Sequence, residues 1–253
     1  MLVKRCLLII LLIALWAPGL AAEPTEVVVH VRAKGSKFIG SSMGGAKVTI
    51  RDAADGEILA QGLTAGGTGD TERIMLTPLN STQPLTDEGT AAYRTTLDIE
   101  RPTRVQVEAV GPMTQLGSAN SASATQWLIP GRGVTGGDGL VLEIPGMVVQ
   151  ILAPAAVEGV DAQGGVTVSA QVVMGCGCPL EPGGLWDSRR MEIRGLVKGG
   201  GPEKSFELEY AGKLSRFQGT FQPSGPGMYD LYVFVHDPAN GNTGLDRVTF
   251  SVR

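Results

Sequence analysis

Short stretches in which apolar and polar residues alternate, or in which Val, Ile, Leu and Thr run together, recur along almost the whole chain. Glycine, proline, asparagine and aspartate separate them every few residues. Runs of this kind read as half-buried strands. In the N-terminal half they predict strands over 26–33, 46–51, 57–63, 73–77, 91–99, 104–110, 124–129 and 140–144. Between the second and third, Asp55-Gly56 is a hairpin signal, because both residues tolerate the positive φ of a tight turn. A second series follows at 147–152, 166–173, 190–198, 205–210, 216–221, 228–235 and 248–252. In its sixth member, Tyr229, Leu231, Val233 and Val235 fall on one face of the pleat. The 36 Gly and 15 Pro, about a fifth of the chain, are too many for a helical bundle and fit a turn-rich all-β fold.

The glycine- and proline-rich stretch 130–139, followed by Pro145-Gly146, has the composition of a domain boundary. The expected architecture is two consecutive β-sandwich domains, 23–146 and 147–253. Gly45-Ala46-Lys47-Val48-Thr49-Ile50-Arg51-Asp52, then Asp55-Gly56-Glu57-Ile58-Leu59 and Gly62-Leu63-Thr64, resembles the opening of a carboxypeptidase regulatory-like, transthyretin-like domain. That resemblance implies a sandwich that supports folding, adhesion or ligand contact without catalysis. The chain departs from the pattern after Thr71, where a polar insertion runs from Pro78 to Gly89. In the second half, seven strands match the immunoglobulin-like count. Gly227-Met228-Tyr229-Asp230-Leu231 ahead of His236-Asp237 resembles the sixth strand of bacterial immunoglobulin-like domains, with Tyr229 placed for a tyrosine corner. The disulfide that links the two sheets of antibody domains is absent.

Residues 1–22 read as a secretory leader: a basic start at Lys4 and Arg5, an apolar run from Leu7 to Trp16, and the small-residue region Pro18-Gly19-Leu20-Ala21-Ala22. The apolar run is short for a membrane span, and Cys6 precedes it rather than following it as a lipidated cysteine does. The reading is an exported protein, periplasmic or extracellular, whose mature part has no transmembrane segment. Without Lys4 and Arg5 the balance becomes 19 basic against 25 acidic residues, which disfavours nucleic acid as a partner. An unknown protein or envelope partner is expected instead.

Of the three cysteines, the two that follow the leader lie in Met174-Gly175-Cys176-Gly177-Cys178-Pro179. Glycines on both sides of Cys176 let the chain bend so that both sulfurs face one centre. In an immunoglobulin-like sandwich this loop lies at the same end as the one following the sixth strand, which carries His236 and Asp237. Cys176, Cys178, His236 and Met174 together form a soft donor set for Cu(I), or for Zn(II) with Asp237 in place of Met174. In an oxidising compartment the same cysteines form a disulfide across one glycine, a small strained ring. Inert free thiols are the third reading. His30, alone in the first strand, reads as structural, and Met43 as loop packing.

Enzyme signatures are missing. There is no Gly-x-Ser-x-Gly and no His-Glu-x-x-His, and the glycines of 65–71 are not followed by the Lys-Ser/Thr of a phosphate loop. A Cys-His nucleophile has no identifiable oxyanion hole or orienting group. Glycan contact needs exposed aromatic platforms, and after the leader the only indoles are Trp127 and Trp186. Trp186 reads either as the cap of a binding surface or as a displaced core tryptophan. The sequence therefore points to an exported, non-enzymatic binding protein with copper or zinc at the cysteine loop, or to an adhesion or envelope scaffold, with protein or glycan contact, carrying a Cys176–Cys178 disulfide and no metal.

Overall fold

A computed structural model describes residues 22–78, 83–161 and 164–253. Residues 1–21 of the expected leader lie outside this range, as do 79–82, within the polar insertion, and 162–163. Among the described residues the chain is all-β, with sixteen strands in four sheets and only short helical turns.

The first seven strands are β1 (Glu23–Ala33), β2 (Lys47–Asp52), β3 (Ile58–Leu63), β4 (Tyr93–Ile99), β5 (Thr103–Gly111), β6 (Asn120–Leu128) and β7 (Leu140–Ile144). They form two sheets, in the orders β4-β1-β7 and β3-β2-β5-β6. All pairings are antiparallel except β1 with β7. Val27, Val29, Val31 and Ala33 of β1 meet Val48 and Ile50 of β2 and Val105, Val107 and Ala109 of β5 in one core. Alternation by two places every second side chain between the sheets.

The predicted strand over 73–77 is instead a helical turn, Glu72–Leu76. Asp70 decides it locally. Its carboxylate accepts the Arg73 N–H at 2.7 Å and its carbonyl accepts the Ile74 N–H at 3.1 Å, so the chain folds back on itself and buries Ile74.

The remaining strands are β8 (Met147–Ala153), β9 (Gly159–Val160), β10 (Val166–Met174), β11 (Glu192–Lys198), β12 (Lys204–Glu207), β13 (Glu209–Tyr210), β14 (Arg216–Phe221), β15 (Gly227–Asp237) and β16 (Asn242–Val252). Their orders are β13-β14-β10-β8 and β12-β11-β15-β16-β9. With β8, β10, β11, β13, β14, β15 and β16 taken as strands A to G, these are the ABED and CFG sheets of an immunoglobulin-like sandwich, with β12 and β9 at the edges of the second; the expected strand 205–210 is divided between the two sheets as β12 and β13. Tyr229, Leu231, Val233 and Val235 are fully or almost fully buried, and Tyr229 stacks on Phe250 with centroids 5.9 Å apart. The Tyr229 hydroxyl donates to the Gly225 carbonyl at 2.7 Å and accepts the Ser224 N–H at 3.2 Å. This is a tyrosine corner at the start of strand F.

Two strands run longer than their sequence suggests. β15 continues through Asp237, and β16 begins at Asn242 rather than 248. Asn242-Thr243-Gly244-Leu245-Asp246-Arg247 lacks an apolar run because its outer face is wet, yet it pairs in register from Asp237↔Asn242 to Gly227↔Val252.

Candidate functional site at the joint

The two sheet pairs meet at a turn, Lys34-Gly35-Ser36-Lys37, that leaves β1 and enters the end of the second sandwich. Arg32 and the Ala33 carbonyl hold the turn from its own side, through Arg32 Nε to the Ser36 carbonyl at 2.8 Å and Ser36 N–H to Ala33 at 3.0 Å. Ser36 is completely buried.

The cysteine loop receives this turn. Cys176 and Cys178 are bonded to each other, and both are buried, at 1% and 7% exposure. The Met174 N–H donates to the Cys178 carbonyl at 3.0 Å and the Gly177 N–H to the Met174 carbonyl at 2.7 Å, closing a tight loop at the end of β10. Gly177 has φ +78°, and a Cβ there would lie 2.6 Å from Met43 Sδ of the first sheet pair. At Gly175 a Cβ would lie 2.9 Å from the Ala33 methyl. Both glycines thus serve close approach between the units, beyond the flexibility expected from sequence. The Ser36 hydroxyl is 2.8 Å from Cys176 Sγ, and because a disulfide sulfur carries no proton the hydroxyl is the donor.

Three more residues close the joint. Trp186 Nε1 donates to the Gly35 carbonyl at 3.0 Å, so this half-buried indole is an anchor between units rather than a core residue of one sandwich. Its loop is pinned by Asp187, which accepts the Arg189 guanidinium at 2.7 Å and the Gly183 N–H at 2.9 Å; these bonds hold its carboxyl far below the usual range. Asn242, 1% exposed, accepts the Gly146 N–H at 2.7 Å and donates to the carbonyls of Lys34 and Gly146 at 3.3 and 3.4 Å. On a neighbouring flank, Ser118 Oγ exchanges hydrogen bonds with the backbone of Val149, and Gln115 reaches Gln150.

The loops after strands B and F both reach the Lys34–Ser36 turn, the first through Trp186 and Cys176, the second through Asn240, whose amide lies 3.1 Å from where a Gly35 Cβ would stand. The expected donors stand on separate elements, β10, the cysteine loop and β15. Met174 is buried at the end of β10, whereas His236 lies inside β15 on its outer face, since Val235 and Asp237 take the inward positions. His236 Nδ1 sits 3.2 Å from Glu192 Oε2 on the adjoining strand. Asp237 accepts from Ala239 N–H and from the Asn240 amide, so it organises its own turn. Among the described residues no group of three or more His, Cys, Asp or Glu side chains is spaced to hold a metal ion.

His30 is 3% exposed; its Nδ1 lies 2.8 Å from the Ala91 carbonyl and its ring meets Phe38 edge-on. Burial pushes its pKa down, and nearby Arg94 adds to this, against the Ala91 carbonyl and Asp138. Asp138 clamps the polar insertion by accepting from the N–H groups of Leu85 and Thr86 and from the Thr86 hydroxyl. Burial alone raises Asp138, but those three bonds together outweigh it and hold the carboxyl below its usual range. The Ser36, Trp186 and Asn242 contacts span 96 to 208 positions in the chain, apart from their local partners, so no spacing in the sequence announces them.

No protein-family model matches the chain, and no curated protein matches it. Among solved structures it is similar to the fibronectin(III)-like modules of Clostridium thermocellum CbhA, at 12% identity over 91% of this chain and 94% of that one, with a TM-score of 0.29. It is similar also to the titin domains Z1Z2, at 14% identity over 91% and 95% of the two chains, with a TM-score of 0.25. An engineered protein matches at 20% identity and a TM-score of 0.32 over half of this chain, which spans about a quarter of that protein's length (24%). The immunoglobulin-like assignment of the second sheet pair rests on its strand order and on the Tyr229 corner.

Proposed function

We propose that this chain is an exported, non-enzymatic scaffold or binding protein whose two sandwiches, the first of the carboxypeptidase regulatory-like type, are locked into one rigid unit. The observation that carries this reading is the joint. Its cross-unit contacts are buried or half-buried, neutral and directional, from Ser36 to Cys176, Trp186 to Gly35, and Asn242 to Lys34 and Gly146. A linker meant to flex leaves such groups to water. Supporting export, β1 starts at Glu23, immediately after the expected cleavage region. The disulfide reading is favoured over copper or zinc because each sulfur's bonding capacity is used by the other and His236 is engaged by Glu192.

The test is backbone 15N relaxation on residues 23–253. One rotational diffusion tensor for both sheet pairs is the expected result; independent tumbling of the two halves overturns the proposal. Intact mass before and after reduction separates the cysteine readings. A gain of about 2 Da without metal loss marks the disulfide, and a metal adduct on the native protein marks the other reading.

A further inference from the structure

The outer face of the β3-β2-β5-β6 sheet carries the most distinctive unclaimed chemistry. Strand register fixes which side chains share it: Arg104 stands opposite Trp127, Arg51 opposite Gln106, and Gln106 opposite Thr125. Lys47 lies two rows further along β2, at about 7 Å per row. Trp127 is 59% exposed and is the only aromatic side chain among the described residues left mainly in solvent. The Arg104 guanidinium donates to the Thr125 hydroxyl at 3.2 Å, one row along β6 from Trp127.

None of the three cations is in an ion pair among the described residues. The four ion pairs among the described residues all lie between 187 and 247, in the second sheet pair. Along the outward rows of β2, β5 and β6 the charged residues are Lys47, Arg51, Arg104 and Glu108, three cations to one carboxylate on a chain whose net charge is −4; Asp52, Asp55 and Glu57 lie beyond Arg51 in the hairpin, where Arg51 donates to the Gly56 carbonyl at 3.3 Å.

We propose that this face, through Trp127, Arg104, Arg51 and Lys47, binds an acidic polysaccharide chain. The C–H face of a sugar ring stacks on the indole, arginine forks take uronate carboxylates in bidentate fashion, and Gln106 and Thr125 offer hydrogen bonds to hydroxyls. The surface is an open sheet face rather than a concavity, which suits an extended polymer and not a small molecule. Three cations and a single indole fall short of the basic groove and successive stacked rings used for single-stranded nucleic acid. This inference deepens the scaffold reading and rests on it, since it names what the rigid unit would hold.

Affinity electrophoresis and tryptophan fluorescence, run with polygalacturonate and alginate as acidic probes and with dextran and single-stranded DNA as controls, test it. Retardation and a Trp127 fluorescence change are expected with the uronate polymers alone. Trp127→Ala and the pair Arg51→Gln/Arg104→Gln are each expected to weaken binding by about tenfold or more. These positions are solvent-facing, and far-UV circular dichroism checks that the variants fold; Trp127→Tyr should keep most of the affinity. Absence of binding to both uronate polymers overturns the proposal, as does binding that survives Trp127→Ala or is matched by dextran or DNA. A single diffusion tensor with no uronate binding defeats this inference alone, whereas independent tumbling defeats the scaffold reading.

Discussion

Asn242→Ala is the sharpest perturbation of the joint. The substitution removes the acceptor of the Gly146 N–H, a 2.7 Å bond, and the donor to the carbonyls of Lys34 and Gly146. Leaving this part-buried N–H without its partner costs about 1–3 kcal/mol, and the two longer bonds add about 1 kcal/mol between them. The expected loss is therefore about 2–4 kcal/mol. At about 2–4 °C per kcal/mol for a cooperative unit of this size, the melting temperature falls by about 5–15 °C in scanning calorimetry. Asn242→Asp should not rescue it, because the acceptor is retained but a carboxylate is set against two carbonyl oxygens. Thr243→Ala, one residue along on the wet face, is the control and should stay within about 0.5 kcal/mol. An Asn242→Ala effect no larger than that control would refute the reasoning, since it would mean that the amide contributes nothing to holding Gly146 and Lys34 together.

Other outcomes follow from single contacts. Tyr229→Phe deletes the hydroxyl bonds to Gly225 and Ser224 and should cost about 1–2 kcal/mol in urea unfolding with the strand content intact; a change within error removes the corner from the account. Replacing both Cys176 and Cys178 by Ser opens a loop of only three residues, worth about 1.6 kcal/mol of chain entropy, so the variant should remain folded in native buffer, and its unfolding there contradicts the estimate. His30 binds a proton more weakly in the folded chain than at its ordinary pKa of 6.5. The unfolded state therefore takes up more protons as pH falls; stability is full above about pH 6.5, declines below it, and levels off once the folded-state pKa is passed. Urea melts between about pH 5 and 8 should show that slope in the parent and lose it in His30→Gln; equal slopes remove His30 as its source.

The second sandwich was largely legible because its strands carry their pattern locally. Tyr229 to Val235 alternate cleanly, and the tyrosine corner joins residues four and five positions apart. The run 73–77 reads as a strand because its apolar residues suit either state, and the group that decides for a helical turn, the Asp70 carboxylate, acts from outside the run. At the candidate site, the cysteines and the convergence of two loops were readable, but what fills the space between them was not. Ser36 reaches Cys176 across 140 positions, and nothing in Lys34-Gly35-Ser36-Lys37 differs from an ordinary turn. His236 reads as a loop residue because Asp237-Pro238-Ala239-Asn240-Gly241 is turn chemistry, yet the turn begins only after Asp237 has paired with Asn242.

Salt separates the two halves of this picture. The bonds that cross the joint come from Ser36, Trp186, Asn242, Ser118 and Gln115, all uncharged, so screening has no charge pair to act on there. The face carrying Lys47, Arg51 and Arg104 has the opposite character. Its attraction for a polyanion is exposed and is screened over about 10 Å at 0.1 M salt. Raising salt from about 0.05 to 0.5 M should leave the rotational diffusion of the two sheet pairs common and unchanged, while uronate binding weakens steadily. If the halves decouple as salt rises, the joint depends on charges that its neutral contacts do not include. If uronate binding holds constant, Trp127 and hydroxyl contacts carry the recognition and the cations are bystanders.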